Sequence, residues 1–495
     1  MIRPGVAAKT PACAVVVLAA VLGIVGSCTS SGSPGSHAKE AGAAEDSGFP
    51  YGSQSDARMG SGGKDVGTDA QDPEVLRCEM EERNGLPGWK LNRDWSCGCR
   101  MFDPEPGTEL PAWGTWEKCP SLGPRNVDCR VIVPPRDYAI AWLGQSADWD
   151  SSSGNMRLAL LYVTPNLDYG TRSAVLVFDA DGPTRNALMV DRRQSGGCRV
   201  DLRGMNQGKL AVRVTGKDPQ AELDFSLQAV LGGDVDGPLA NLVYQWDPPP
   251  PDGWTLSAFV SSDLLVIATP TFHRAAADWR TMQWREVWER DPEGLMVGGT
   301  VVWGKNVFVE AHGGGVGGIM SWDPEHGLRN MLRRYGDRLE GKSNFGTDGK
   351  DMVWTMGRRK EPQYKAAKYD KYYLMTAPFT TDPAVVEAQA RVVREEHDGW
   401  FIPDAAYRVG CGYAAHITIR ADLVVTRLSD GAEWVVERLP PPERDWWSFG
   451  QVLGVTCDEV FVPLSSREGY YLDTSTLSVA RIRIDSLGEP SFPSQ

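Results

Sequence analysis

The chain has 495 residues, 41% of them hydrophobic, with 54 Gly, 34 Pro and 18 Trp. That length is too great for one ordinary core, and the apolar share excludes a wholly disordered protein. A formal charge of −14 disfavours nucleic acid and anionic membrane surfaces as partners, since both are polyanions.

Residues 1–27 have the three-part form of a secretory signal. Arg3 and Lys9 supply the positive start, and Ala12–Ser27 is almost wholly apolar. This sixteen-residue stretch is shorter than the ~20 residues that span a bilayer. It ends in Val25-Gly26-Ser27-Cys28: an aliphatic residue, two small residues, then a cysteine. The pattern resembles the lipobox of bacterial lipoproteins. The resemblance implies diacylglycerol transfer to the Cys28 sulfur, cleavage before Cys28, and acylation of the new amine by a fatty acid such as palmitate. An ordinary signal peptide with a chance cysteine is the alternative. Thr29 stands where inner-membrane lipoproteins commonly carry Asp, so in a two-membrane bacterium outer-membrane anchoring is favoured. The expected location is the cell envelope, outside the cytoplasm, with the membrane as a partner through the lipid.

Residues 28–72 are dominated by Gly, Ser, Ala and small acids. They bury too little surface to offset ordering and read as a disordered tether reaching roughly 35–40 Å.

Residues 73–138 form a segment rich in Cys, Trp and Pro, expected to be stapled and packed on the main body. Besides Cys28, the cysteines are Cys78, Cys97, Cys99, Cys119, Cys129, Cys198, Cys411 and Cys457. An even count in an exported chain points to disulfides. Cys411 and Cys457 lie about one repeat apart, which suggests a bond between neighbouring repeats. Cys97-Gly98-Cys99 has no His between Cys78 and Cys198 to complete a zinc site, so no metal is expected.

Residues 139–487 read as short strands bounded by Gly, Pro, Asp and Asn, with a short tail at 488–495. Expected strands include Arg157–Val163, Ala174–Phe178, Lys209–Val214, Leu264–Ala268 and His416–Arg420, and Asp382–Glu396 reads as a helix. Asp181-Gly182, Asp236-Gly237, Asp348-Gly349 and Asp430-Gly431 are hairpin-turn pairs. Echoes of an apolar residue followed by an acidic or small one occur at Phe178-Asp179, Trp246-Asp247, Trp288-Glu289, Trp322-Asp323, Met375-Thr376, Leu428-Ser429 and Leu472-Asp473. Taken as one strand position repeated, they predict an all-β propeller of seven blades, with six or eight as alternatives. At these residues the chain resembles the broad propeller class that includes WD-repeat and Tol-type translocation propellers. There, a hydrophobic-Asp step often ends the third strand of a blade. The Gly-His partner signature of WD repeats is absent, and an antiparallel sandwich or a pair of β domains is the competing fold. Ring closure calls for Cys129–Val133 or Tyr138–Trp142 to pair beside the final blade.

His312-Gly313-Gly314-Gly315 reads as a glycine-rich hairpin, because the chain has no Gly-x-Ser-x-Gly turn to make it an esterase oxyanion loop. The six histidines are scattered and give no zinc motif. Trp446-Trp447 is the candidate ligand contact, a stacking platform for sugar or peptide. The basic run from Arg358 to Lys371 reads as a solvated hairpin loop. These features favour a non-catalytic, membrane-tethered scaffold that binds an envelope protein or glycan, with no cofactor and no nucleic acid. The alternative is an extracytoplasmic hydrolase or lyase with acidic residues in the propeller channel.

Overall fold

The structure is a computed structural model. It describes residues 87–95, 99–119, 127–136, 138–150, 154–163, 172–192, 199–216, 227–246, 256–269, 274–288, 296–313, 316–332, 334–335, 339–359, 369–396, 407–418, 422–436, 447–449, 451–466 and 477–493. The expected leader and tether lie outside the described residues.

The chain folds as an all-β propeller. Among the described residues its strands form seven antiparallel sheets. The first holds Ala139–Asp150, Asn155–Val163, Arg172–Asp179 and Thr184–Arg192. The second holds Arg199–Asn206, Lys209–Gly216, Leu227–Asp234 and Leu242–Gln245. The third holds Ser257–Val260, Leu264–Ala268, Arg274–Asp278 and Trp284–Trp288, and the fourth Met296–Trp303, Asn306–Gly313, Val316–Asp323 and Gly327–Leu332. The fifth holds Leu339–Thr347, Asp351–Arg359, Tyr369–Pro378 and Arg391–Glu396, with Arg334–Tyr335 at its inner edge. The sixth holds Arg408–Gly410, Tyr413–Ile417, Leu423–Arg427 and Glu433–Val436. In the last, Glu459–Ser466 pairs on one side with Trp447–Phe449 and Gly454–Val455 and on the other with Leu477–Arg483.

The first strands touch in order around the molecule. Ala139–Asp150 meets Arg199–Asn206, which meets Ser257–Val260, then Met296–Trp303, Leu339–Thr347, Arg408–Gly410 and Gly454–Val455, which returns to Ala139–Asp150. The approach is close enough to demand glycine at two places. A Cβ on Gly410 would lie 2.2 Å from the Val455 carbonyl oxygen, and one on Gly346 would lie 2.4 Å from that of Tyr407.

The apolar core is divided among the seams between neighbouring sheets. Val177, Val200 and Val212 pack between the first and second sheets; Val266, Val302 and Trp322 pack between the third and fourth. Phe102, Leu160, Phe461 and Val479 fill the seam between the last sheet and the first. A sheet held between two neighbours buries both faces, so Leu264–Ala268 is apolar and buried at every position.

Closure follows one of the two expected routes. Cys129–Val133 pairs antiparallel with Leu477–Arg483, Val131 opposite Ala480, and Thr115–Lys118 adds outside it. Tyr138–Trp142 instead runs into the inner strand of the first sheet. Trp89–Trp95 and Cys99–Pro104 extend the first sheet beyond Thr184–Arg192. The tryptophans between these additions stitch the last sheet to the first. Trp113 stacks on Phe178 at 4.6 Å and donates to the Gly182 carbonyl at 2.8 Å; Trp116 donates to the Ala180 carbonyl at 2.6 Å.

The structure departs from sequence expectation at the helix and at the echoes. The helix ends early: it spans Pro383–Gln389, capped by the Asp382 carboxylate, and Arg391–Glu396 is a strand paired with Tyr369–Pro378. The β-branched pair Val392-Val393 follows the sheet edge it meets, not the helical period. The echoes are also not one position. Asp179 and Asp323 end third strands, and Leu428 follows one; Trp246 and Trp288 lie at the ends of fourth strands, and Met375 is inside a third strand. Leu472 lies outside the described residues.

Candidate functional site: a polar cleft between the third and fourth sheets

The third strands of these two sheets both end in aspartate, and each carboxylate folds the turn that follows. Asp278 Oδ1 accepts from the backbone N–H of Arg280 at 2.8 Å and Thr281 at 3.2 Å. Asp323 Oδ1 accepts from Glu325 N–H and His326 N–H, both at 2.9 Å, while Oδ2 takes the Arg329 guanidinium. Short Asp-initiated turns of this kind satisfy backbone donors locally. They hold the two turns apart as walls of a cleft of about 450 Å³. Its floor is Leu264, Ala276 and the edge of the buried Trp322.

The charges in the cleft are of both signs. Burial by itself would raise the Asp323 carboxyl. The His326 N–H and ring, the Glu325 N–H and Arg329 outweigh it and hold the group below the usual carboxylate range. Arg285 crosses from the third sheet to donate to the Pro324 carbonyl at 3.1 Å. Several lining groups have no side-chain partner among the described residues: the second oxygen of Asp278, the Lys305 ammonium, the Gln283 and Asn306 amides and the Glu325 carboxylate. The cleft therefore presents donors and acceptors interleaved over an apolar floor, at a size typical of small-ligand sites.

Three buried carboxylates elsewhere hold neighbouring sheets together. Asp148 accepts from Gln207 N–H at 2.8 Å and Gly208 N–H at 2.7 Å, across from the first sheet to the second. Asp103 does the same to Leu239 N–H at 2.8 Å and Ala240 N–H at 3.1 Å. Glu310 reaches from the fourth sheet to Phe345 N–H at 3.1 Å in the fifth. Among the described residues no group of three His, Cys, Asp or Glu side chains could hold a metal.

Of the residues singled out in the sequence, the structure places two disulfides. Cys119 bonds Cys129 (Cα–Cα 5.3 Å) between the two outer strands of the last sheet. Cys411 bonds Cys457 (Cα–Cα 5.0 Å) between the first hairpin turns of the sixth and last sheets, joining neighbouring repeats. Cys28, Cys78, Cys97, Cys198 and Trp446 lie outside the described residues, and Cys99 and Trp447 are placed only as backbone within strands. Of the cleft residues, Trp322-Asp323 is one of the echoes. Asp278–Gln283 carries no echo, although Asp278 is the true counterpart of Asp323 at the end of a third strand.

No family model and no curated protein matches the chain in sequence. Solved structures that resemble it include an oligogalacturonate lyase in complex with manganese, at TM-score 0.46 and 10% identity, covering 76% of this chain and 96% of the other. An oligogalacturonate lyase from Vibrio parahaemolyticus gives TM-score 0.45 at 9% identity, covering 76% and 97%. BamB from Moraxella catarrhalis gives TM-score 0.26 at 14% identity, covering 68% and 81%. Likenesses this distant carry no argument about activity.

Proposed function

We propose that the protein is a lipid-anchored, extracytoplasmic propeller of seven blades, one for each observed sheet, and that it binds a saccharide of the cell envelope in the cleft between its third and fourth sheets. The observation that carries this reading is the set of uncommitted side chains around that cleft. A sugar hydroxyl donates and accepts at once. It is therefore matched by the Lys305 ammonium and the Gln283 and Asn306 amides beside the Asp278 and Glu325 carboxylates. A simple anion would meet those carboxylates, and a simple cation would meet Lys305 and Arg285.

The two disulfides suit an oxidising compartment, and Val25-Gly26-Ser27-Cys28 supplies the anchor. Purified protein should bind a saccharide fraction of its own envelope. Lys305→Ala and Gln283→Ala, both at exposed positions between strands, should each weaken that binding about tenfold while leaving the melting temperature in place. Saccharide binding that is absent, or equal in both variants and the parent, overturns the cleft assignment. For the anchor, Cys28→Ser should move the protein into the aqueous phase on detergent partitioning and abolish fatty-acid labelling. Unchanged labelling refutes it.

A further inference from the structure

A second polar cluster lies on the inner strand of the second sheet, far in the chain from the cleft. Asp201 takes three guanidiniums. Arg213 donates through Nε at 3.0 Å and also through Nη2; Arg199 Nε lies at 3.2 Å and Arg203 Nη2 at 3.3 Å. The pair at the centre is closed off from water, with side-chain exposure of 2% for Asp201 and 6% for Arg213, which also donates to the carbonyl of Leu256, just before the third sheet. The outer two arginines are open, at 49% for Arg199 and 27% for Arg203. One carboxylate thus faces three cations, an excess of two positive charges in a chain whose formal charge is −14.

Two details set Arg203 apart. It sits at a β-bulge: Ala211 pairs with Gly204 and Val212 with Leu202, so Arg203 is skipped in the register. Bulges of this kind re-aim a side chain. Its Nε is also buried with no acceptor among the described residues, an unsatisfied donor on a charged group. Burial and the neighbouring Arg213 push its guanidinium down to about 10, so it remains charged at neutral pH.

We infer that Arg199 and Arg203, on the floor of the Asp201–Arg213 pair, form a binding site for a phosphate group. Two guanidinium forks offer the planar, paired donors that match an oxyanion. A phosphate monoester carries about −1.5 to −2 at pH 7, which balances the surplus of the cluster. Asp201 holds the forks in register from below while being itself neutralised by Arg213. The site does not depend on the saccharide reading, since it uses none of the cleft residues and belongs to another sheet.

The test is phosphorus NMR of inorganic phosphate and of glycerol 1-phosphate titrated with the full chain. Saturable broadening is expected for both, with the dissociation constant raised about tenfold or more by Arg203→Gln and by Arg199→Gln. Arg199 is half-exposed, so its variant serves if the bulge does not tolerate Gln at position 203. Broadening of inorganic phosphate alone places a free ion at the site, and broadening of both places a phosphate ester there; each supports the oxyanion site. Binding that is equal in the parent and in the folded variants overturns it. So does broadening abolished by sodium chloride at matched ionic strength, since a nonspecific ion atmosphere would behave that way.

Discussion

Asp323 shows how one side chain both shapes the cleft and ties it to pH. Its folded-state pKa lies below its ordinary value, so the stability it contributes is present above about pH 4 and is lost as pH falls through the depressed pKa. Asp323→Asn should cost about 1–2 kcal/mol at pH 7, from the turn donors and Arg329 left with a weaker acceptor. The gap between parent and variant should narrow below pH 4. Urea midpoints at pH 7 and pH 3 check this, and a gap that stays constant with pH would show that Asp323 acts through packing alone. The sequence displayed this residue, since Trp322-Asp323 was one of the echoes, but not its partner. Asp278 follows Ala277 instead of a large apolar residue, because the seam there is filled by Val287, Trp288 and Trp322 from other strands. The Arg199–Arg203 cluster was hidden for a similar reason: its geometry depends on Arg213 arriving from the next strand and on a bulge.

At the scale of strands and turns, much was legible. Leu264–Ala268 was found at its observed bounds, and Arg157–Val163, Ala174–Phe178 and Lys209–Val214 lie within observed strands, because burial on both faces makes them nearly continuous apolar runs. All four Asp-Gly pairs fall in hairpin turns, and Gly349 and Gly431 have positive φ of 82° and 73°. His416–Arg420 overlaps the observed Tyr413–Ile417 only at its start. The early end of the helix was invisible because Val385, Val386 and Ala390 keep a helical period up to the residue where the sheet takes over. The repeat spacing misled because its markers mix third- and fourth-strand ends. One strand tests the architecture directly. Truncation after Gly469 removes Leu477–Arg483, the partner of both Glu459–Ser466 and Cys129–Val133. Two edges are then unpaired, and the body should aggregate or melt far below the parent. A soluble, β-rich truncated body with the parent's melting temperature would mean that the sheets are stable without closure.

For the molecule as a whole, the latch at residues 129–133 governs how the chain comes to be folded. The Ser478 hydroxyl donates to the Ile132 carbonyl over a sequence separation of 346 residues. Closing a loop of that length costs about 5 kcal/mol in chain entropy by the logarithmic scaling, before any contact repays it. The contact also cannot form until Leu477–Arg483 has been made, long after Cys129–Val133. Sheets two to six can assemble as the chain emerges, yet the first keeps an open flank until the last strand arrives. Such a long-range pairing raises the contact order and slows folding. Completion of the ring is thereby timed by the arrival of Leu477–Arg483, which must find a strand laid down 346 residues earlier.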